Sequence, residues 1–138
     1  MSKKYFAYGS NLNKEQMTKR TPFASSVGQA YISGWRLVFR GVADIEPHEG
    51  GTLAVGLWNI TKPDEENLDI YEGYPRLYRK EEILGMMTYR MNSVEIVPPY
   101  EDYFNTILQG YKDFGLDTKL LYDALDDSWM RKTRADVW

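Results

Sequence analysis

An apolar, aromatic run, Tyr5-Phe6-Ala7-Tyr8, stops abruptly at Gly9-Ser10-Asn11 and passes into a helical pattern from Asn13 to Arg20. A short strand over 4–8 with aromatic residues on both faces, followed at once by a polar turn and a helix, sets the first third of any fold this chain can adopt. Gly9 permits a tight turn and a close approach of backbone to a ligand. Asn11 or Asn13 fits the helix N-cap. Several backbone N–H groups follow one another beside a helix start, so the loop can cradle a carboxylate or phosphate. The helix dipole contributes only ~0.3–1 kcal/mol, so aligned N–H donors would do most of that binding. A second reading fits these residues as well: Ser10 and Asn11 merely cap the helix.

Downstream, β-branched and aromatic residues recur from Val27 to Phe39 around Gly34, predicting one or two strands. Gly50-Gly51 marks a turn, and 53–60 predicts a strand with Gly56 at its middle, a usual place for a bulge or a close backbone approach. Thr61-Lys62-Pro63 opens a helix over 64–72, with threonine as cap, that ends at Gly73. Strands at 78–84 and 86–91 meet near Gly85, and Pro98-Pro99 precedes a helix over 100–114 with helically spaced Tyr103, Phe104, Ile107, Leu108 and Tyr111. A last helix is expected over about 117–125. Clustered strands, intervening helices and short glycine-rich joints predict a single α+β domain over 1–138. Its expected centre is a small, mixed, mostly antiparallel β-barrel with flanking helices.

Composition removes several function classes. The net charge of −3 argues against a protein that binds nucleic acid by neutralising phosphates, and the one compact basic run, Arg131-Lys132-Thr133-Arg134, reads as a solvated tail. No segment has the ~18 apolar residues of a membrane span. Met1-Ser2-Lys3-Lys4 lacks the apolar core of a secretion signal, so a cytoplasmic location is expected. The chain has no cysteine and one histidine, His48, within the polar stretch 46–51, which reads as an exposed turn. Thiolate nucleophiles and Cys/His metal sites are thereby excluded, and neither a metal nor a cofactor is expected. Acid/base chemistry then falls to a carboxylate or a tyrosine, of which there are eleven.

One carboxylate stands out. In Leu68-Asp69-Ile70-Tyr71-Glu72-Gly73-Tyr74-Pro75, helical spacing puts Leu68, Tyr71 and Glu72 on one face, whereas Asp64 and Glu65 fall in a first turn expected to be solvated. Glu72 is therefore a carboxylate on the apolar side at a helix C-terminus. Desolvation and the negative end of the dipole both raise its pKa, which is how a carboxylate becomes a base near neutral pH. A last-turn glutamate pointing into water is the alternative.

These two segments together resemble the γ-glutamylcyclotransferase (AIG2-like) family. The likeness rests on the run 5–12 and the run 68–75, and extends through Arg40-Gly41-Val42-Ala43-Asp44-Ile45-Glu46-Pro47, Gly56-Leu57-Trp58, Tyr78-Arg79-Lys80-Glu81 and the segment from Pro98. The resemblance implies a small barrel with one pocket at its mouth. It implies an enzyme that cleaves γ-glutamyl amides by letting the substrate's α-amine attack its own side-chain carbonyl, releasing 5-oxoproline and an amine or amino acid. By matching position, Glu72 would be general base and then general acid. Tyr8, Gly9, Ser10, Asn11 and Leu12 would hold the γ-glutamyl group largely through backbone N–H donors, and Tyr78 and Tyr103 would line the pocket.

Physical chemistry and resemblance agree here. A well-oriented intramolecular attack can supply ~7–11 kcal/mol, leaving mainly proton transfer to the protein. An unperturbed glutamate near ~4.3 facing an α-ammonium near ~8 is mismatched by ~5 kcal/mol, which burial of Glu72 would narrow. Ser10 lacks a G-x-S-x-G elbow and a nearby base, so a hydrogen-bonding role is expected of it. The stretch 83–87 is shorter than the excursion usual in the family, which implies an intact site with one wall trimmed and an altered fit for the leaving group. The glutathione-specific branch carries other motifs, so glutathione is not the expected substrate. The expected partner is a small γ-glutamyl molecule, with no nucleic acid or membrane, acted on by a monomer or homodimer. An alternative keeps the same loop pocket in a non-catalytic binder of an anionic metabolite.

Overall fold

The computed structural model describes residues 2–137. Five strands form one sheet: β1 (Ser2–Ala7), β2 (Ser25–Arg40), β3 (Val42–Thr61), β4 (Tyr78–Ile83) and β5 (Met86–Met91). Their order is β2-β3-β1-β5-β4. The strand β1 pairs antiparallel with β3 over Ser2↔Thr61 to Ala7↔Gly56 and parallel with β5 at Tyr5↔Met87; the remaining pairs are antiparallel. This central place is what an aromatic strand with two apolar faces requires: Tyr5, Phe6 and Ala7 are all buried.

The α+β class holds, with one refinement. The sheet is open rather than a closed barrel, with β2 and β4 at its two ends. Outside the five strands, Arg40 and Val97 form a single parallel bridge, with Gly41 N–H donating to Val97 O at 2.7 Å.

Four helices pack around the sheet in the described residues: α1 (Lys14–Arg20), α2 (Lys62–Tyr71), α3 (Glu101–Phe114) and α4 (Thr118–Val137). The last is far longer than the helix expected over 117–125. Nothing breaks it beyond Leu125, and i,i+4 pairing of Asp127 with Arg131 at 2.9 Å supports the extension. Arg131 is not part of a solvated tail: it also binds Glu46 on β3 at 3.1 Å. No helix in the described residues is long and apolar enough to cross a membrane.

The stretch 46–51 is not a free turn but part of β3, where the β2–β3 ladder skips between Ser33↔Thr52 and Trp35↔Pro47. His48 is exposed there, as expected. The first turn of α2 differs from expectation as well. Asp64 is fully buried, forms a reciprocal capping box with Thr61, and accepts from Phe23 N–H at 3.2 Å. Glu65 is held by Lys3 and Lys80 at 2.8 and 2.6 Å. Cap chemistry and cross-element lysines, neither visible in helical periodicity, keep both carboxylates from water.

Two glycines fix the core around the first turn. A β-carbon on Gly56 would stand 2.8 Å from both Leu12 Cδ2 and the Phe114 ring, which is the close approach its position suggested. One on Gly110 in α3 would stand 2.5 Å from Leu12 Cβ and 2.7 Å from Asn13 N. Leu12 itself has no exposed surface. The Gly9–Asn13 turn is therefore clamped between β3 and α3 with Leu12 as its anchor.

Candidate functional site

At the end of β1, Gly9 leads into one turn of 3-10 helix, Ser10–Leu12, closed by Leu12 N–H to Gly9 O and Asn13 N–H to Ser10 O, each 3.0 Å. Asn13, rather than Asn11, caps α1 by accepting from Gln16 N–H at 3.0 Å. Its amide also reaches Thr106 O on α3 at 3.2 Å. That division leaves Asn11 free for another task. Among the described residues nothing accepts from the backbone N–H of Ser10 or Asn11, the first two residues of the turn.

Glu72 arrives from the other side. Gly73, at φ 64°, ends α2 in a left-handed cap, with Gly73 N–H to Ile70 O at 3.2 Å and Tyr74 N–H to Asp69 O at 2.9 Å. This places Glu72 at the C-cap of α2, and its carboxylate accepts from Asn11 Nδ2 at 3.1 Å. Burial pushes the Glu72 carboxyl up from the ordinary 4.5 to about 7, against the opposing pull of the Arg20 charge and the Asn11 hydrogen bond. A carboxylate poised there exchanges protons near neutral pH.

Between these parts lies a cavity of about 250 Å³. Gly9, Ser10 and Asn11 line it from the turn, Val42 and Ala43 from β3, and Glu72 from the end of α2. Six of the chain's eleven tyrosines complete the wall: Tyr5, Tyr8, Tyr71, Tyr78, Tyr89 and Tyr103. Burial raises the phenols of Tyr5, Tyr8, Tyr78, Tyr89 and Tyr103 well above their ordinary value, so all five are neutral hydroxyls. Three are tied to the frame: Tyr8 donates to Tyr89 O at 2.5 Å, Tyr78 to Ala43 O at 2.7 Å, and Tyr89 to Asp69 at 2.6 Å. Tyr103 differs. Its oxygen accepts from Ala43 N–H at 2.9 Å, so its own proton remains available to a ligand.

The sequence-selected residues thus come together with one exception. Tyr8, Gly9, Ser10, Asn11, Glu72, Tyr78 and Tyr103 all line the cavity. Leu12 does not: its side chain fills the core and its N–H is spent on Gly9 O. Ser10 Oγ meets Tyr71 Oη at 3.2 Å and has no base beside it, while His48 lines a separate cavity with Arg36 and Asp123. None of the residues 83–87 lines the cavity. Leu84 and Gly85 both have positive φ, at 53° and 76°, which is how two residues suffice to join β4 to β5.

Sequence reasoning missed Tyr5, Tyr89 and Arg20. The high tyrosine content was the available signal for the first two, but spacing alone could not say which rings share a cavity. A groove of about 540 Å³ between Pro99 and Trp129 is larger but carries no buried carboxylate; its ionisable groups are Tyr100, Glu101 and Lys132.

Comparisons with known proteins agree with this fold. A family model described as Gamma-glutamyl cyclotransferase, AIG2-like, matches residues 5–103. A gamma-glutamylcyclotransferase of Bos taurus is 29% identical over 134 residues, covering 81% of this chain and 71% of the relative. The protein of the same name from Homo sapiens is 28% identical with the same coverage. A solved structure described as gamma-glutamyl cyclotransferase superposes with a TM-score of 0.81 at 25% identity, covering 90% of this chain and 86% of that one. A human protein described as uncharacterized superposes with a TM-score of 0.75 at 26% identity, covering 89% and 86%. With a family match that spans both halves of the cavity, the turn after β1 and the glutamate after α2, this chain belongs to the gamma-glutamyl cyclotransferase, AIG2-like family.

Proposed function

We propose that this protein is a γ-glutamylcyclotransferase that releases 5-oxoproline from a γ-glutamyl amine or amino acid, with Glu72 as general base and then general acid. The reading rests on one juxtaposition: Glu72 lines one small cavity together with Ser10 and Asn11, whose backbone N–H groups have no acceptor among the described residues.

In the proposed reaction the substrate's α-carboxylate sits on those N–H donors. The α-ammonium then lies toward Glu72, which removes a proton to free the amine lone pair. The nitrogen attacks the side-chain carbonyl carbon, a C–N bond forms, and a five-membered ring closes around a tetrahedral centre. The Tyr103 hydroxyl donates to the developing oxyanion. Collapse breaks the original amide C–N bond; the leaving nitrogen takes the proton held by Glu72, and the second proton that the ring nitrogen sheds on becoming a lactam N–H passes by way of Glu72 to the same amine, which departs as an ammonium group. Proton count is restored at the end of each turnover, with no redox change and no co-reactant.

The energetics favour this division of labour. Holding the chain folded on itself accounts for ~7–11 kcal/mol of the barrier. With Glu72 near 7 and an α-ammonium near ~8, proton transfer is close to balanced, so a positioned base contributes ~10²–10⁴-fold. The proposed substrate is a free small molecule handled by a monomer or homodimer in the cytoplasm.

Incubation with a panel of γ-glutamyl amino acids and amines, with 5-oxoproline quantified by mass spectrometry, tests the proposal. Saturable binding of these compounds without 5-oxoproline release would instead establish a non-catalytic binding protein.

A further inference from the structure

Arg20, the last residue of α1, takes part in no step of the reaction above, yet its guanidinium is held more tightly than a surface arginine needs to be. It lies over the Tyr71 ring, 3.6 Å from the centroid. Nη1 donates to Asn11 Oδ1 at 2.7 Å and reaches Ser10 Oγ at 3.5 Å, and Nη2 donates to Gln16 Oε1. All these acceptors are neutral, so the positive charge stays unspent beside the cavity.

The consequence passes through Asn11. A carboxamide has one acceptor end and one donor end. Because Arg20 claims the oxygen, the Asn11 nitrogen must face the other way, where it donates to Tyr5 Oη at 2.9 Å and to Glu72 at 3.1 Å. Turned over, the same amide would present its oxygen to the Glu72 carboxylate and repel it.

Building on the cyclotransferase reading, we propose that Arg20 is a positioning residue for Glu72: it fixes the Asn11 amide that holds the carboxylate, and it stands beside that carboxylate as a cation. The ionisable groups that line the cavity with Glu72 are phenols, Tyr5 within β1, Tyr8 just after it, Tyr71 on α2, Tyr78 on β4, Tyr89 on β5 and Tyr103 on α3, and behind them Asp69 accepts from the Tyr89 hydroxyl. Burial keeps the phenols of Tyr5, Tyr8, Tyr78, Tyr89 and Tyr103 neutral, so the Arg20 charge, together with the Asn11 hydrogen bond, is what offsets the burial of Glu72.

Two variants separate charge from geometry. Arg20→Met removes both, and Arg20→Lys keeps the charge but loses the planar stack and the fork. The Glu72 titration is read from its side-chain carboxyl 13C shift in the ligand-free protein, which needs no turnover. The midpoint is expected to rise by about one unit in Arg20→Met and to stay near the parent in Arg20→Lys. In assays, kcat is expected to fall up to ~10²-fold in both variants with KM little changed. An unmoved midpoint in Arg20→Met, or a parental kcat in Arg20→Lys, overturns the proposal. Absence of 5-oxoproline release by the parent protein would overturn the enzymatic reading alone, since the titration stands independently. Should Arg20→Met fail to fold, the kcat and midpoint of Arg20→Lys still decide the matter.

Discussion

The side-chain amide of Asn11 donates to the Glu72 carboxylate over 3.1 Å, joining residues 61 positions apart in the chain. This contact links the turn after β1 to the end of α2 and makes one cavity of two sequence segments. A hydrogen bond to the charged form favours ionisation, and so does Arg20, but burial outweighs both and carries Glu72 to about 7.

The pH dependence of catalysis follows. A base must be ionised in the free enzyme, so kcat/KM is expected to rise tenfold per pH unit below about 7 and to level off above it. An ordinary solvated glutamate would place that limb near ~4.3. A pH–rate profile between pH 5 and 9 at substrate concentrations well below KM measures the limb directly.

Stability and activity should oppose each other at Glu72. Its folded-state pKa lies above its unfolded value, so the carboxyl's contribution to stability is complete below about 4.5 and is lost as pH rises through about 7. A shift of that size corresponds to about 3 kcal/mol. Glu72→Gln is therefore expected to abolish 5-oxoproline release by ~10²–10⁴-fold while stabilising the fold at pH 8 by up to about that amount. At pH 4 to 5 the stability gain should vanish. Urea unfolding at the two pH values, beside an activity assay, checks both halves.

Gly110 guards the turn from the far side. Adding one methyl there drives into Leu12 Cβ at 2.5 Å and Asn13 N at 2.7 Å, with backbone on both sides and little freedom to yield. Gly110→Ala is expected to cost ~1–3 kcal/mol despite the higher helix propensity of alanine. It should also raise KM, because the turn that carries the Ser10 and Asn11 donors must shift. Chemical denaturation and steady-state kinetics read the two effects separately.

Tyr103→Phe removes the acceptor of the Ala43 N–H and a hydroxyl proton left available to a ligand in the cavity. The stranded N–H is expected to cost ~1–3 kcal/mol in stability. Loss of an oxyanion donor should lower kcat by roughly 10²-fold. Tyr78→Phe is a useful contrast, since the Tyr78 hydroxyl is spent on Ala43 O. A smaller kcat effect at 78 than at 103 is expected in parallel assays.

Much of the local structure was legible because it is local. The strand–turn–helix at 5–20, the Thr61 cap with Pro63, the stop at Gly73 and the tight joint at Gly85 all depend on neighbours within a few residues. Misreadings came where the deciding partner lies far along the chain. Asp64 and Glu65 looked solvated until Phe23, Lys3 and Lys80 were seen against them. Arg131 looked like part of a tail until Glu46 was found beside it.

The site divides along the same line. Sequence by itself determined that Glu72 ends a helix on its apolar side and that a polar turn closes the first strand, because glycine placement and helical periodicity are properties of short segments. Only the tertiary structure decided that the two meet, that Leu12 is an anchor rather than a ligand contact, and that Asn11 serves the carboxylate instead of capping a helix. Desolvation and amide orientation depend on what surrounds a group in space, and those neighbours come from β1, α1, α2 and α3 at once.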